Sequence, residues 1–146
     1  AHDAILGCES SGGLTIKGHI LGKDGVLSSA LIVEMLAKTR ERLSTLLGRL
    51  YERVGRMYSV ERNLPATPEM RVQFPRLLSE RPAAVLAGMP VLRLDLMDGF
   101  NFHLPDDQWV LIRFSGTEPI LRIYSEGNSR AEALALADAA QALLPL

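Results

Sequence analysis

Trp109-Val110-Leu111-Ile112-Arg113-Phe114-Ser115-Gly116-Thr117-Glu118-Pro119 is an alternating run that ends in a polar, glycine-containing turn. Strand alternation sends Val110, Ile112 and Phe114 to one face and Leu111, Arg113 and Ser115 to the other, so the run reads as a one-sided strand. Arg113 emerges at the strand end. A guanidinium there presents a planar fork of donors, Ser115 and Thr117 add hydroxyls, and Gly116 lets backbone amides approach a ligand closely. Arg122 lies on the following strand, within reach of a hairpin partner. From the chemistry alone two readings stand side by side: a cradle for a dianionic phosphate, and a plain Ser-Gly-Thr hairpin turn with surface arginines.

Outward from this turn the pattern is that of a small antiparallel meander. Runs at 91–96, 100–104, 109–114 and 120–125 are separated by turns at Asp98-Gly99, Pro105-Asp106-Asp107 and Ser115-Gly116. After them, Ser129 and Glu132 form a capping box for a helix whose apolar face carries Leu134, Leu136, Ala137, Ala140, Leu143 and Leu144. Before them, 58–64 reads as a short strand. Thr67, Pro68 and Glu69 then open a helix, with Thr as cap, Pro at the first position and a carboxylate at the positive end. Pro75 is expected to kink or end that helix. This second unit, 57–146, reads as a sandwich of helices on one side of a sheet.

The preceding part, 1–56, has a different character. Ile5 and Leu6 look like the end of a buried strand, and Gly7-Cys8-Glu9-Ser10-Ser11-Gly12-Gly13 is a polar loop with glycines that allow backbone close approach. Its chemistry suits a polyol, since a carboxylate accepts from vicinal hydroxyls and a serine donates or accepts; a flexible loop with no ligand is the alternative. Lys23-Asp24-Gly25 leads into a helix at about 26–38, apolar on most sides. A second helix follows with Leu43, Leu46, Leu47, Leu50, Tyr51 and Val54 at helical spacing. Trp109 and Cys8 read as packing residues, and Lys23 and His19 on their own as loop side chains.

Composition limits the function classes. With 47% hydrophobic residues, mean hydropathy +0.11 and net charge −1, the chain has the make-up of a packed globular protein. It lacks the basic patch that nucleic acid requires, and the most apolar stretch, 26–36, is too short and too interrupted to span a bilayer, so neither nucleic acid nor a membrane is expected as a partner. The single cysteine, Cys8, excludes an internal disulfide and fits a reducing, cytoplasmic setting.

Arg113-Phe-Ser-Gly-Thr-Glu-Pro-Ile-Leu-Arg122 closely resembles the phosphate-binding signature in the last domain of the alpha-D-phosphohexomutases, the phosphoglucomutase/phosphomannomutase family. Glu9, Ser11 and Gly12 resemble the Gly-Glu-x-Ser-Gly sugar loop of that family's third domain, and Lys23-Asp24-Gly25 resembles the segment after it. The motifs occur in the family's order over nearly the whole chain. The resemblance implies an α+β chain, α/β overall: the C-terminal part of the sugar-binding α/β third domain at 1–56, and at 57–146 a small TBP-like domain of antiparallel sheet and helices.

The resemblance also implies roles. Arg113, Ser115, Gly116, Thr117 and Arg122 would bind the non-reacting phosphate, with Glu118 supporting; Glu9 and Ser11 would read sugar hydroxyls and Lys23 would touch phosphate or a sugar oxygen. Gly13 stands where the mannomutase and glucosamine-mutase branches have His, which resembles the glucomutase branch. The implied enzyme is an isomerase that interconverts hexose 1-phosphate and 6-phosphate through a phosphoserine and a 1,6-bisphosphate, with Mg2+. The phosphoserine and the Asp-rich metal loop belong to the family's first and second domains; here no Asp-x-Asp-x-Asp occurs, and Ser10, Ser11, Ser28 and Ser29 lack the nucleophile context. This stretch is therefore expected to hold a hexose phosphate, to work with the remaining N-terminal domains, and by itself to bind no cofactor and catalyse nothing. The rival from another class is a non-catalytic phosphosugar-binding module.

Overall fold

In the computed structural model, which describes residues 3–9 and 11–144, the chain forms two compact units, Ala1–Gly55 and Arg56–Leu146. The first begins with an antiparallel hairpin, β1 (Leu6–Cys8) and β2 (Leu14–Ile16), with Gly7 opposite Thr15. Helices α1 (Gly25–Thr39) and α2 (Leu43–Val54) follow. Asp24 caps α1, its Oδ1 accepting from the amides of Val26 and Leu27 at 2.9 and 3.0 Å. Arg40, in the left-handed region at φ 55°, stops the helix.

Ile5 and Leu6 differ from expectation: they are 76% and 55% exposed rather than buried. β1 pairs with β2 alone, and a two-stranded ribbon has no second layer to bury its apolar side chains. Val26 and Val33 on α1, and Leu43 and Leu50 on α2, are also exposed, and no described residue of this unit is buried.

The second unit has a core. Five antiparallel strands, β3 (Tyr58–Pro65), β6 (Arg93–Asp95), β7 (Phe100–His103), β8 (Trp109–Phe114) and β9 (Ile120–Gly127), lie in the order β3-β9-β8-β7-β6. Between β3 and β6 come α3 (Pro68–Glu80) and a small hairpin, β4 (Val85–Leu86) and β5 (Met89–Pro90), which the sequence reading missed; α4 (Arg130–Ala142) ends the chain's secondary structure. Register puts Phe102 opposite Val110 and Ile112 opposite Ile123, so one sheet face collects Phe100, Phe102, Val110, Ile112, Leu121 and Ile123. Against that face pack Met70, Phe74 and Leu78 of α3 and Leu136, Ala137 and Ala140 of α4. Ser129 caps α4 by accepting from the Glu132 amide at 3.2 Å, and Thr67 caps α3 by accepting from the Met70 amide at 3.3 Å.

Of the two outcomes expected at Pro75, a kink or an end, the second does not occur: α3 runs on to Glu80. A helix-interior proline costs about 3 kcal/mol. Met70, Phe74 and Leu78, at i, i+4 and i+8 on one stripe, are all buried, and at roughly 1.5–3 kcal/mol each their burial outweighs that cost. Packing therefore overrides the local signal.

Candidate functional site

The opposite face of the second unit's sheet carries the charged groups. In the β8–β9 register Arg113 is paired with Arg122 and Leu111 with Tyr124, so the two arginines and the tyrosine share one face. Directly opposed like charges destabilise an antiparallel pair, and here each guanidinium has its own carboxylate. Arg113 Nη1 lies 2.9 Å from Asp98 Oδ2, and Arg122 Nη2 lies 2.8 Å from Glu118 Oε2. Arg122 Nη1 also donates to the Tyr124 hydroxyl at 3.4 Å. Tyr124 foremost, and then Glu118, raise the Arg122 pKa and hold it charged. Its Nε is buried and has no hydrogen-bond partner among the described residues.

Arg113, Ser115, Thr117, Arg122 and Tyr124 line a pocket of about 200 Å³ at the end of β8. Of the five phosphate-loop residues expected from sequence, four meet there. Gly116 is not a lining residue, and a Cβ built on it would meet nothing within 4 Å. Ser115 Oγ accepts from the Thr117 and Glu118 amides at 3.4 and 3.2 Å. Its lone pairs thus close the turn, which leaves its O–H as the part able to donate to a ligand. The sequence reading gave no role to Asp98, which Gly99 brings in. Gly99 has φ +127°, and a Cβ on it would stand 2.6 Å from the Ile112 carbonyl oxygen and 3.3 Å from the Arg113 Cα. Only glycine lets this turn lie against the strand that carries Arg113.

In the first unit the loop after β1 closes on itself: Glu9 N–H donates to Gly13 O at 3.0 Å and Gly12 N–H to Glu9 O at 2.9 Å, with Gly12 at φ +84°. Ser10 lies outside the described residues. Asp24 N–H donates to Leu14 O at 3.1 Å, which ties the start of α1 to β2 and sets Lys23 beside the loop. Lys23 Nζ reaches Glu9 Oε2 at 2.6 Å and Ser11 Oγ donates to the same oxygen at 3.3 Å, so the three expected sugar-loop residues are brought together. Gly7, Cys8, Glu9, Gly13, Thr15 and Lys23 line a pocket of about 210 Å³. Cys8, read as a packing residue, is exposed there. A Cβ on Gly13 would lie 2.3 Å from Lys23 Cδ, so a larger residue would push the lysine aside.

Lys23, by its hydrogen bond and then by its charge, holds the Glu9 carboxyl below the usual carboxylate range, with Ser11 adding a smaller share. Because the shift is downward, the pairing favours the folded state above the ordinary carboxylate pKa and that benefit is lost as pH falls through the lowered value. Lys23→Met should raise the Glu9 titration midpoint towards its ordinary value, read by NMR of the side-chain carboxyl. An unmoved midpoint would show that Lys23 does not pair with Glu9 in solution.

The family model described as phosphoglucomutase/phosphomannomutase, alpha/beta/alpha domain III, matches residues 1–54, and that described as the C-terminal domain matches residues 69–143. The chain belongs to the phosphoglucomutase/phosphomannomutase family. A protein of Thermococcus kodakarensis named phosphoglucomutase/phosphomannomutase is 33% identical over 132 residues, which are 90% of this chain and 26% of that protein. The phosphoglucosamine/phosphogalactosamine mutase of Sulfurisphaera tokodaii is 30% identical over 128 residues, 86% of this chain and 26% of the relative. A crystal structure of a phosphoglucomutase/phosphomannomutase family protein from Burkholderia thailandensis matches in fold with a TM-score of 0.70 at 22% identity, over 96% of this chain and 28% of that one. The chain thus spans between a quarter and a third of the length of these family members.

Proposed function

We propose that this chain is the sugar-reading and phosphate-anchoring portion of a phosphohexomutase that interconverts hexose 1-phosphate and hexose 6-phosphate through a phosphoserine and a 1,6-bisphosphate. One observation carries the reading: two arginines on directly paired strand positions flank a pocket whose other linings are Ser115, Thr117 and Tyr124. Such a set suits a dianion. Two guanidiniums neutralise it, the hydroxyls donate, and the unpartnered Arg122 Nε finds an acceptor.

A mutase of this kind must hold either end of the same sugar in turn. A site that grips phosphate by charge and short hydroxyls, without reading what lies beyond it, meets that need. In the first unit the Glu9 carboxylate would accept from vicinal hydroxyls, Ser11 would complete the reading, and Lys23 would add a positive charge. These residues contribute by positioning and electrostatics. Relatives named for glucose or mannose and for amino sugars fit a hexose phosphate substrate, and Gly13 favours the glucose phosphates.

Among the described residues no group of three or more His, Cys, Asp or Glu could hold a metal, so these residues do not fit a Mg2+ site. Mg2+, the 1,6-bisphosphate and the serine nucleophile are assigned to the whole enzyme with its N-terminal domains, in a cytoplasmic setting. The test is an assay of the full-length parent with Mg2+ and glucose 1,6-bisphosphate on glucose, mannose and glucosamine 1-phosphates. Turnover of one of them supports the reading. Binding without turnover of any supports a phosphosugar-binding module and overturns it.

A further inference from the structure

The turn that forms the phosphate pocket is fastened from the helix layer, on the other side of the sheet from Arg113 and Arg122. Arg71, one residue beyond Met70 in α3, sends a single guanidinium nitrogen to two backbone oxygens of the turn: Nη2 donates to Ser115 O at 2.7 Å and to Glu118 O at 3.3 Å. Its guanidinium carbon stands 5.1 Å from the centre of the Phe114 ring, a cation–π distance that fixes the plane of the fork. Just upstream, Ala66 N–H donates to Pro119 O at 2.9 Å. Three carbonyls of the turn, those of Ser115, Glu118 and Pro119, are thereby drawn towards the segment 66–71.

Carbonyl oxygens are the groups an anion pocket must keep away from its ligand, because each presents a partial negative charge. Within the turn the Thr117 and Glu118 amides meet at Ser115 Oγ. A turn whose oxygens are bound from behind, with its amides gathered on one serine, has its dipoles sorted before a ligand arrives. Sorting in advance removes the reorganisation that a free loop would undergo on binding.

We propose that Arg71 is a positioning residue for phosphate: it touches no ligand, and holds the Ser115–Glu118 turn with its carbonyls away from the pocket. The proposal rests on the phosphate reading of the Arg113/Arg122 pocket. A lysine retains the charge but has neither the planar fork nor the stacking on Phe114, so charge and geometry are separable.

The experiment titrates the chain with inorganic phosphate as the dianion, following amide resonances by NMR, for the wild type, Arg71→Met, Arg71→Lys and Arg113→Gln. Arg71→Met should weaken phosphate at least about tenfold. It should also speed hydrogen exchange at Thr117 and Glu118 while Leu121 and Ile123 keep their protection, which separates loop loosening from loss of the sheet. Arg71→Lys should lose most of the same affinity, and it carries the test if the methionine variant disturbs the sheet. Wild-type affinity in either Arg71 variant overturns the proposal, since it would leave Arg71 without a role or with charge alone. If the wild type binds no phosphate, or Arg113→Gln binds as well as the wild type, the phosphate reading itself fails.

Discussion

On the proposed function, Arg113→Ala should lower the catalytic efficiency of the full-length protein by at least about tenfold, with most of the loss in substrate binding. A charge-assisted hydrogen bond contributes about 1.5–3 kcal/mol, and a tenfold change corresponds to about 1.4. The Arg113 side chain is 50% exposed, which argues for the lower end of that range before any ligand covers it. A second effect adds to the loss. Asp98 sits 2.9 Å from the guanidinium, and on the phosphate reading removal of Arg113 would leave its carboxylate beside the ligand site with no counter-charge. Asp98→Asn in the Arg113→Ala background should therefore recover part of the deficit, although the same change in the wild type removes only a placeholder. Steady-state kinetics of the two single variants and the double variant give the coupling. Additive losses would mean that Asp98 and Arg113 act apart, and unchanged kinetics in Arg113→Ala would remove that arginine from the site.

Phe74→Ala destabilises the second unit by about 3–5 kcal/mol, the range for deleting a fully buried aromatic ring. Phe74 has 0% exposure, and it meets Phe100 edge-on at 5.0 Å and Phe114 at 6.3 Å. The chain has one tryptophan, Trp109 in β8, so denaturant unfolding followed by its fluorescence reports on this unit. The variant's midpoint should fall well below the wild type's, with Phe74→Leu between them. The effect reaches the pocket as well, because Phe114 lies between Arg113 and Ser115 and stacks under Arg71. A loss below about 1 kcal/mol would mean that the cavity collapses and that the three-ring cluster is not what holds α3 against the sheet.

What could be read from sequence was whatever local chemistry determines. Alternation through Trp109–Phe114 gave the strand and its two faces, Thr67 and Ser129 announced their helices, and Pro105-Asp106-Asp107 announced a turn in which both aspartates adopt positive φ, 56° and 58°. That Arg122 lies on the next strand within reach of Arg113 followed from the hairpin; their direct pairing is set by the register. The features that escaped depend on distant parts of the chain. Asp98 meets Arg113 through a glycine whose need for φ +127° is visible only once Ile112 is packed against it. Arg71 is a surface-type residue on a helix, and nothing in its neighbourhood of sequence says that it reaches carbonyls at 115 and 118. The β4–β5 hairpin has two residues in each strand, too few for a periodic signal. Pro75 does not end α3 because the burial of Phe74 and Leu78 outweighs its local cost.

The burial of β9 alternates without a break from Ile120 to Gly127, so that Leu121, Ile123 and Ser125 are enclosed while Arg122 and Tyr124 stand on the other side. The odd-numbered positions therefore answer to folding, while Arg122 and Tyr124 line the pocket. Exchanges at 122 or 124 would change what the pocket accepts at little cost to the interior. A single inserted or deleted residue before Arg122 offers no such latitude: it would turn a guanidinium inward and an isoleucine outward together, abolishing the interior and the binding surface in one step.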